Sequence, residues 1–255
     1  MQKYYEINGN GSNIRCKLYY GSRPEAGRAV IFLPGFSGHR DNRTAARLAE
    51  KMLSKHRDAV LTVFDWPCHG SDVKKKLTLS DCDAYLSAVI EHAKERFGAK
   101  ELYAAGVSFG GYLALKYISE HGDPFKKTVL LSTAVDMYSV LTASVMKEGD
   151  LERLMKGRGR GKEVTAGFDR KIPVTAAFLD ELRGNDIRGR DFLEYAGDIL
   201  MIHGTKDEIV PEESARRFAD GSLIEYLPVE GADHRFSGET LRDLFVKYTL
   251  DFFDL

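Results

Sequence analysis

The sequence holds only three cysteines in 255 residues, Cys16, Cys68 and Cys82, an odd number without the paired spacing of a metal site. That argues against a disulfide framework and a thiolate zinc centre, and leaves three reduced thiols. Long apolar runs are missing too. None approaches the roughly 20 residues that span a bilayer, and Met1 leads into a polar, strand-like stretch where a secretory leader would place a basic segment and then an apolar one. The expectation is a cytoplasmic protein with no membrane span. An excess of charge of one sign is equally absent: 37 Lys and Arg stand against 38 Asp and Glu, a formal net charge of −1. Composition therefore supplies no field for nucleic acid or an anionic membrane and favours a small or neutral substrate. The chain has no internal repeat.

What is present is enough apolar material, 43% of residues, to bury one large α/β core. Two β-prone runs, 4–7 and 14–20, flank Asn8-Gly9-Asn10-Gly11, a segment tolerant of positive φ, and predict an opening antiparallel hairpin. Apolar runs at 29–33, 59–65, 102–107, 128–131, 199–203 and 224–228 then alternate with helical patterns, which predicts a doubly wound, mostly parallel sheet. Over 80–97, Cys82, Leu86, Val89, Ile90, Ala93 and Phe97 form one helical stripe. Pro211 opens a further helix, and Arg242, Phe245, Val246 and Phe252-Phe253 suggest a closing one. The alternation breaks once, over 136–191, where no convincing apolar strand occurs and the tract 156–162 is basic and glycine-rich. That length exceeds an ordinary connection. The expected organisation is a core of 1–135 and 192–255 with an inserted cap of 136–191, whose Met137, Val140, Leu141, Phe178 and Leu179 could fold over a site.

The most informative local feature is Gly106-Val107-Ser108-Phe109-Gly110-Gly111, which follows an apolar run and precedes a helix-like one. A G-x-S-x-G turn from strand to helix exposes the serine hydroxyl above a sheet at a helix N-terminus, where negative charge is favoured. The plainer reading of such a turn is a capping serine. A serine nucleophile needs a histidine base oriented by a carboxylate. Of seven histidines, His234 lies between the last expected strand and the last helix, where a loop reaches over the sheet edge. Asp207 lies in a loop just past the strand ending at His203 and is the expected acid, with Glu208 and Asp233 as rivals. The resulting order is Ser, Asp, His. Backbone amides of Phe109, next to the nucleophile, and of Phe36, in the loop after the first parallel strand, are the expected oxyanion donors.

Leu33-Pro34-Gly35-Phe36, the stretch from Asp65 to Asp72, the serine turn, His203-Gly204-Thr205-Lys206-Asp207 and Gly231-Ala232-Asp233-His234 together resemble the successive signatures of the α/β-hydrolase superfamily. Within it the chain most resembles small bacterial carboxylesterases of the feruloyl and cinnamoyl esterase type, with the related serine aminopeptidase-like hydrolases and monoacylglycerol lipases. The resemblance implies a cofactor-free, metal-free serine carboxylesterase of the α/β-hydrolase fold whose cap sets specificity. The same triad would also support thioester or amide cleavage, or a ligand-binding receptor with weak turnover. Two departures stand out: Cys68 where members commonly have Gly, and Pro34-Gly35 where they commonly have His-Gly.

Phe36, Phe109, Tyr138 and Phe168 are the aromatic candidates for binding a short to medium or aromatic acyl group of a small ester substrate; oligomeric state is not legible. The stretch from Gly157 to Lys162 is one residue short of a phosphate-binding loop, with Glu163 where Ser or Thr is needed. Cys68-His69 reads as a structural turn rather than a thiol nucleophile, Asp65 and His69 as supports of that turn, and Lys74-Lys75-Lys76 as solvated charge. His39 and Arg40 lie close enough to the expected oxyanion loop to be candidates for substrate contact.

Overall fold

Along the strand Arg28–Leu33, side chains alternate between two buried layers: Ala29, Ile31 and Leu33 join one hydrophobic cluster, Val30 and Phe32 the other. Period-two alternation with both faces apolar is what a sheet covered on both sides requires, and each of the larger side chains, Val30, Ile31, Phe32 and Leu33, contributes about 1.5–3 kcal/mol on burial. The structure is a computed structural model and describes residues 1–9, 12–156, 163–168 and 170–255. The strands are β1 (Gln2–Gly9), β2 (Ser12–Tyr20), β3 (Arg28–Leu33), β4 (Ala59–Phe64), β5 (Glu101–Val107), β6 (Lys127–Leu131), β7 (Glu163–Ala166), β8 (Ile172–Thr175), β9 (Ile199–Gly204) and β10 (Glu225–Val229). The helices are α1 (Arg43–Lys55), α2 (Leu79–Arg96), α3 (Phe109–His121), α4 (Met137–Val140), α5 (Asp150–Lys156), α6 (Ala176–Gly184), α7 (Glu212–Gly221) and α8 (Glu239–Phe253).

Among the described residues the main sheet runs β1-β2-β4-β3-β5-β6-β9-β10. β1 and β2 form the expected antiparallel hairpin, with Ile7 opposite Ile14, and β2 pairs antiparallel to β4; every later pairing is parallel. Helices α1 and α8 cover one face through residues such as Leu48, Met52, Phe245 and Phe253, while α2, α3 and α7 cover the other. The chain leaves β3 towards β4, then returns to place β5 on the far side of β3. The loops after β3 and β5 therefore diverge from neighbouring strand ends, which opens a crevice at the carboxyl edge of the sheet.

The segment between β6 and β9 holds α4, a π-helical turn Leu141–Val145, α5, the antiparallel pair β7–β8, α6 and a 3-10 turn Leu193–Asp198. The β7–β8 pair corrects the expectation that 136–191 lacks strands. Each strand is four residues long, and β7 buries only Val164 and Ala166, so neither makes an apolar run. Met137, Val140, Leu141, Phe178 and Leu179 are buried in the same cluster as the sheet face. Glu181 of α6 also accepts a hydrogen bond from the Leu79 amide at 2.7 Å, satisfying a free N–H at the start of α2. The glycine-rich stretch 157–162 and the hairpin residues Asn10 and Gly11 lie outside the described residues. Among the described residues no helix is long and apolar enough to cross a membrane.

Candidate active site

Ser108 sits between β5 and α3 with φ 52° and ψ −112°, in a region of backbone space that side chains rarely occupy. Although it stands at the N-cap position, its side chain makes no capping hydrogen bond, so the capping-serine reading does not describe this turn. The backbone is fixed instead by Ser108 N–H donating to Leu131 O at 2.9 Å and Tyr112 N–H donating to Ser108 O at 3.0 Å. Two glycines make the turn possible by close approach. A Cβ at Gly106 would lie 2.9 Å from Gly111 Cα, and one at Gly110 would lie 2.1 Å from Leu33 O.

The loop after β3 is shaped by Gly38 N–H donating to Gly35 O at 2.8 Å and by Trp66 Nε1–H donating to Pro34 O at 2.8 Å. The departure at Pro34 thus leaves a carbonyl that is pinned by a buried indole. The amides of Phe36 and Phe109 have no acceptor among the described residues, and Phe109 opens α3, where N–H groups point out of the helix. The ring of Phe36 meets His69 and Phe109 edge-on at 5.5 and 5.7 Å. Burial pushes His69 down to about 4, and its Nδ1–H donates to Pro67 O at 2.8 Å, so it is a neutral structural ring. Buried Asp65 accepts from the Arg40 amide at 2.7 Å, the Arg40 guanidinium at 2.8 Å and the Ser71 amide at 2.9 Å. Cys68 occupies its family-glycine position with φ 67°, and burial, with Asp72 nearby, pushes its thiol up to about 12, far from a reactive thiolate.

Asp207 has a fully buried side chain. Its Oδ1 accepts from the amides of Ile209 at 2.9 Å and Val210 at 2.8 Å, and its Oδ2 accepts from His234 Nδ1–H at 2.8 Å. His203 Nε2, at the end of β9, lies 3.2 Å from the same Oδ2 and 3.1 Å from Val210 O. Burial alone would raise the Asp207 carboxyl; the hydrogen bonds from His203 and His234 outweigh it and hold the group well below the usual carboxylate range. Of the rivals, Asp233 accepts from the Ser237 amide at 2.7 Å and Glu208 is exposed.

Ser108 and His234 open onto one cavity of about 600 Å³. No hydrogen bond joins their side chains among the described residues; they share its wall. The cavity is lined by Phe36, Phe168 and His39, by apolar Val107, Leu131, Met137, Val140, Val145 and Ile209, and by Arg43, Arg170, Arg235 and Arg242. Tyr138, expected at the substrate, is not there. It faces a separate cavity of about 130 Å³, with the Arg183 guanidinium 4.4 Å from its ring centroid and bonded to its hydroxyl. Periodicity could not tell which way α4 faces. The ring of Phe109 is likewise buried beneath the cavity among Trp66, His69, Tyr112 and Phe178, so this residue offers the site its amide. Of the pair near the loop, His39 lines the cavity and Arg40 turns to Asp65.

The sequence reads His203 as a strand end and not as a partner of Asp207, and it gives the arginines no role at the cavity. His203 had a signal in its spacing four residues before Asp207; the arginines are scattered over 200 positions and had none. Among the described residues one group, Asp83, Glu120 and His121, brings three potential metal-ligand atoms together, but Glu120 is engaged by Lys116 and Arg190.

Known proteins share this architecture. The structure resembles Est1E from Butyrivibrio proteoclasticus (TM-score 0.75, 18% identity, 99% of each chain covered). It also resembles alpha/beta hydrolase domain-containing protein 10 from mouse (TM-score 0.73, 18% identity, 99% of this chain and 98% of that one). A third likeness is to the Pyrococcus furiosus esterase Pf2001 (TM-score 0.70, 16% identity, 100% and 92% covered). Residues 30–246 match the family model of the alpha/beta hydrolase family, so the chain belongs to that family and is, at that level, a hydrolase.

Proposed function

We propose that the chain is a serine carboxylic-ester hydrolase working through an acyl-enzyme. The observation that carries this reading is the buried Asp207 Oδ2 bonded at 2.8 Å to His234 Nδ1, on a ring that shares a cavity wall with Ser108. With its Nδ1 proton committed to Asp207, His234 keeps Nε2 unprotonated as a base. Nε2 takes the Ser108 proton as Oγ attacks the acyl carbonyl carbon. The amides of Phe36 and Phe109 then stabilise the oxyanion, a donor of this kind being worth about 10²–10³ in rate. Collapse breaks the ester C–O bond, and His234 returns the proton to the leaving alcohol. Water, deprotonated by the same ring, then cleaves the acyl-enzyme, while Asp207 stays ionised throughout.

Phe36 and Phe168, with the apolar side chains of the 136–191 cap, fit a short to medium or aromatic acyl group. A solved structure of Est1E holds ferulic acid, which supports an aromatic acyl among the substrates. The three unpaired cysteines suit a reducing, cytoplasmic setting. Ser108→Ala tests the core of the reading. Hydrolysis of 4-nitrophenyl butyrate is expected to fall by at least about 10³-fold, with loss of fluorophosphonate labelling; full turnover in the variant would end the assignment. A thioester and an anilide of the same acyl group, run beside the ester, identify the preferred leaving group.

A further inference from the structure

Four arginines line the Ser108 cavity: Arg43, Arg170, Arg235 and Arg242. The acid among the described lining residues is Asp41, already held by Lys17 at 2.9 Å and by the Tyr4 hydroxyl at 2.6 Å. Arg43 has no ion-pair partner among the described residues, and Arg242 carries a buried Nε with no acceptor. Buried N–H groups without acceptors are costly and uncommon, and a guanidinium fork suits a carboxylate or phosphate.

Acids lie near these two groups, but among the described residues none forms an ion pair with either. Arg43 and Arg242 also line the groove between α1 and α8, where Asp243 and Glu50 are paired with Arg47 at 2.6 and 2.9 Å. Glu239 lines that groove but not the cavity. Asn42, Arg43 and Thr44 together present the first turn of the 13-residue α1 to the cavity, and the positive end of the helix dipole adds to the same field. Arg170 and Arg235 approach from elsewhere in the fold. Arg170 donates to Gly70 O at 2.9 Å, and Arg235 lies 4.9 Å from the Phe168 ring centroid. The net charge of −1 hides this concentration, because a sum over the chain says nothing about where the charges lie.

Resting on the ester hydrolysis proposed above, we infer that the enzyme selects esters carrying a carboxylate or phosphate group away from the scissile bond, with Arg43 and Arg242 as the residues that bind this anion. The apolar wall from Val107, Leu131, Met137, Val140 and Val145 takes the uncharged part of the substrate. A wholly neutral ester offers Arg43 and Arg242 no anion to pair with. The small or neutral substrate suggested by composition thus becomes a small anionic one.

Two matched pairs test this. 4-Nitrophenyl hemisuccinate and 4-nitrophenyl butyrate place or omit the anion on the acyl side; 3-(butyryloxy)benzoate and its benzamide do so on the alcohol side. In at least one pair, kcat/KM for the anionic ester is expected to exceed that of the neutral one by about tenfold or more. That ratio should shrink as sodium chloride is raised, and fall towards or below one in Arg43→Glu, an exposed position that tolerates exchange, and in Arg242→Gln. Inhibition by inorganic phosphate compared with succinate, at matched ionic strength, shows which anion is preferred. Ratios at or below one in both pairs, a ratio indifferent to both arginine variants, or inhibition by neither anion overturns the inference. Isothermal titration of Ser108→Ala with the same esters separates the two readings. Turnover persisting in that variant sinks the nucleophile and leaves the anion site standing; equal affinity for charged and uncharged esters sinks the anion site alone.

Discussion

At Asp207 a single carboxylate oxygen lies within reach of two imidazoles, His234 on the cavity side and His203 beneath it. His203 is fully buried and its Nδ1 has no partner, so among the described residues its polar contacts are with Asp207 and Val210 O. It acts on the site through Asp207 and is a positioning residue. His203→Leu is expected to lower kcat on the order of tenfold with KM little changed, because a loosened carboxylate misplaces the base; steady-state kinetics on one ester measures the split. At His69, held neutral by burial and lowered to about 4, the unfolded chain binds a proton that the folded chain refuses once pH falls below about 6.5. Stability from this ring is complete above about pH 6.5 and is lost between there and about 4, roughly 2 kcal/mol by pH 5. Urea unfolding at stepped pH should therefore show a shallower acid loss in His69→Gln than in the parent. Neither effect could be read from the sequence, where both histidines sat in short motifs but their burial was not visible.

Secondary-structure elements were more legible than single residues. α2 occupies 79–96 where the apolar stripe placed a helix over 80–97, because a 3.6-residue period survives any packing that buries one face. β7 and β8 were missed because four-residue strands carry too few side chains for period two to register. The serine turn was legible for a steric reason: its glycines lie where backbone meets backbone. At Gly110 a Cβ would lie 2.1 Å from Leu33 O, so α3 must move away from the end of β3 to accept one. Gly110→Ala is expected to cost about 1–3 kcal/mol in urea unfolding and to reduce kcat. The second effect arises because the Phe109 amide and the loop after β3 would separate.

Across the whole molecule, the closing helix holds the sheet from the face opposite α2 and α3. Phe253 is buried 5.0 Å from the Tyr103 ring centroid, so truncation leaves a cavity far from the active site. Phe253→Ala is expected to cost about 3–5 kcal/mol and to lower Tm by about 10 °C, with kcat/KM at 25 °C close to that of the parent; calorimetry beside an ester assay measures both. The sequence alone determined the opening hairpin, the succession of main-sheet strands, the serine turn and the loops bearing Asp207 and His234, because periodicity, glycine close-packing and the placement of loops at strand ends are local properties. Only the tertiary structure decided which carboxylate meets His234, that Tyr138 faces a different cavity, and that Arg43, Arg170, Arg235 and Arg242 share the wall of one site. Those residues lie up to 199 positions apart. Their meeting depends on how layers pack on the sheet, and no local pattern encodes it.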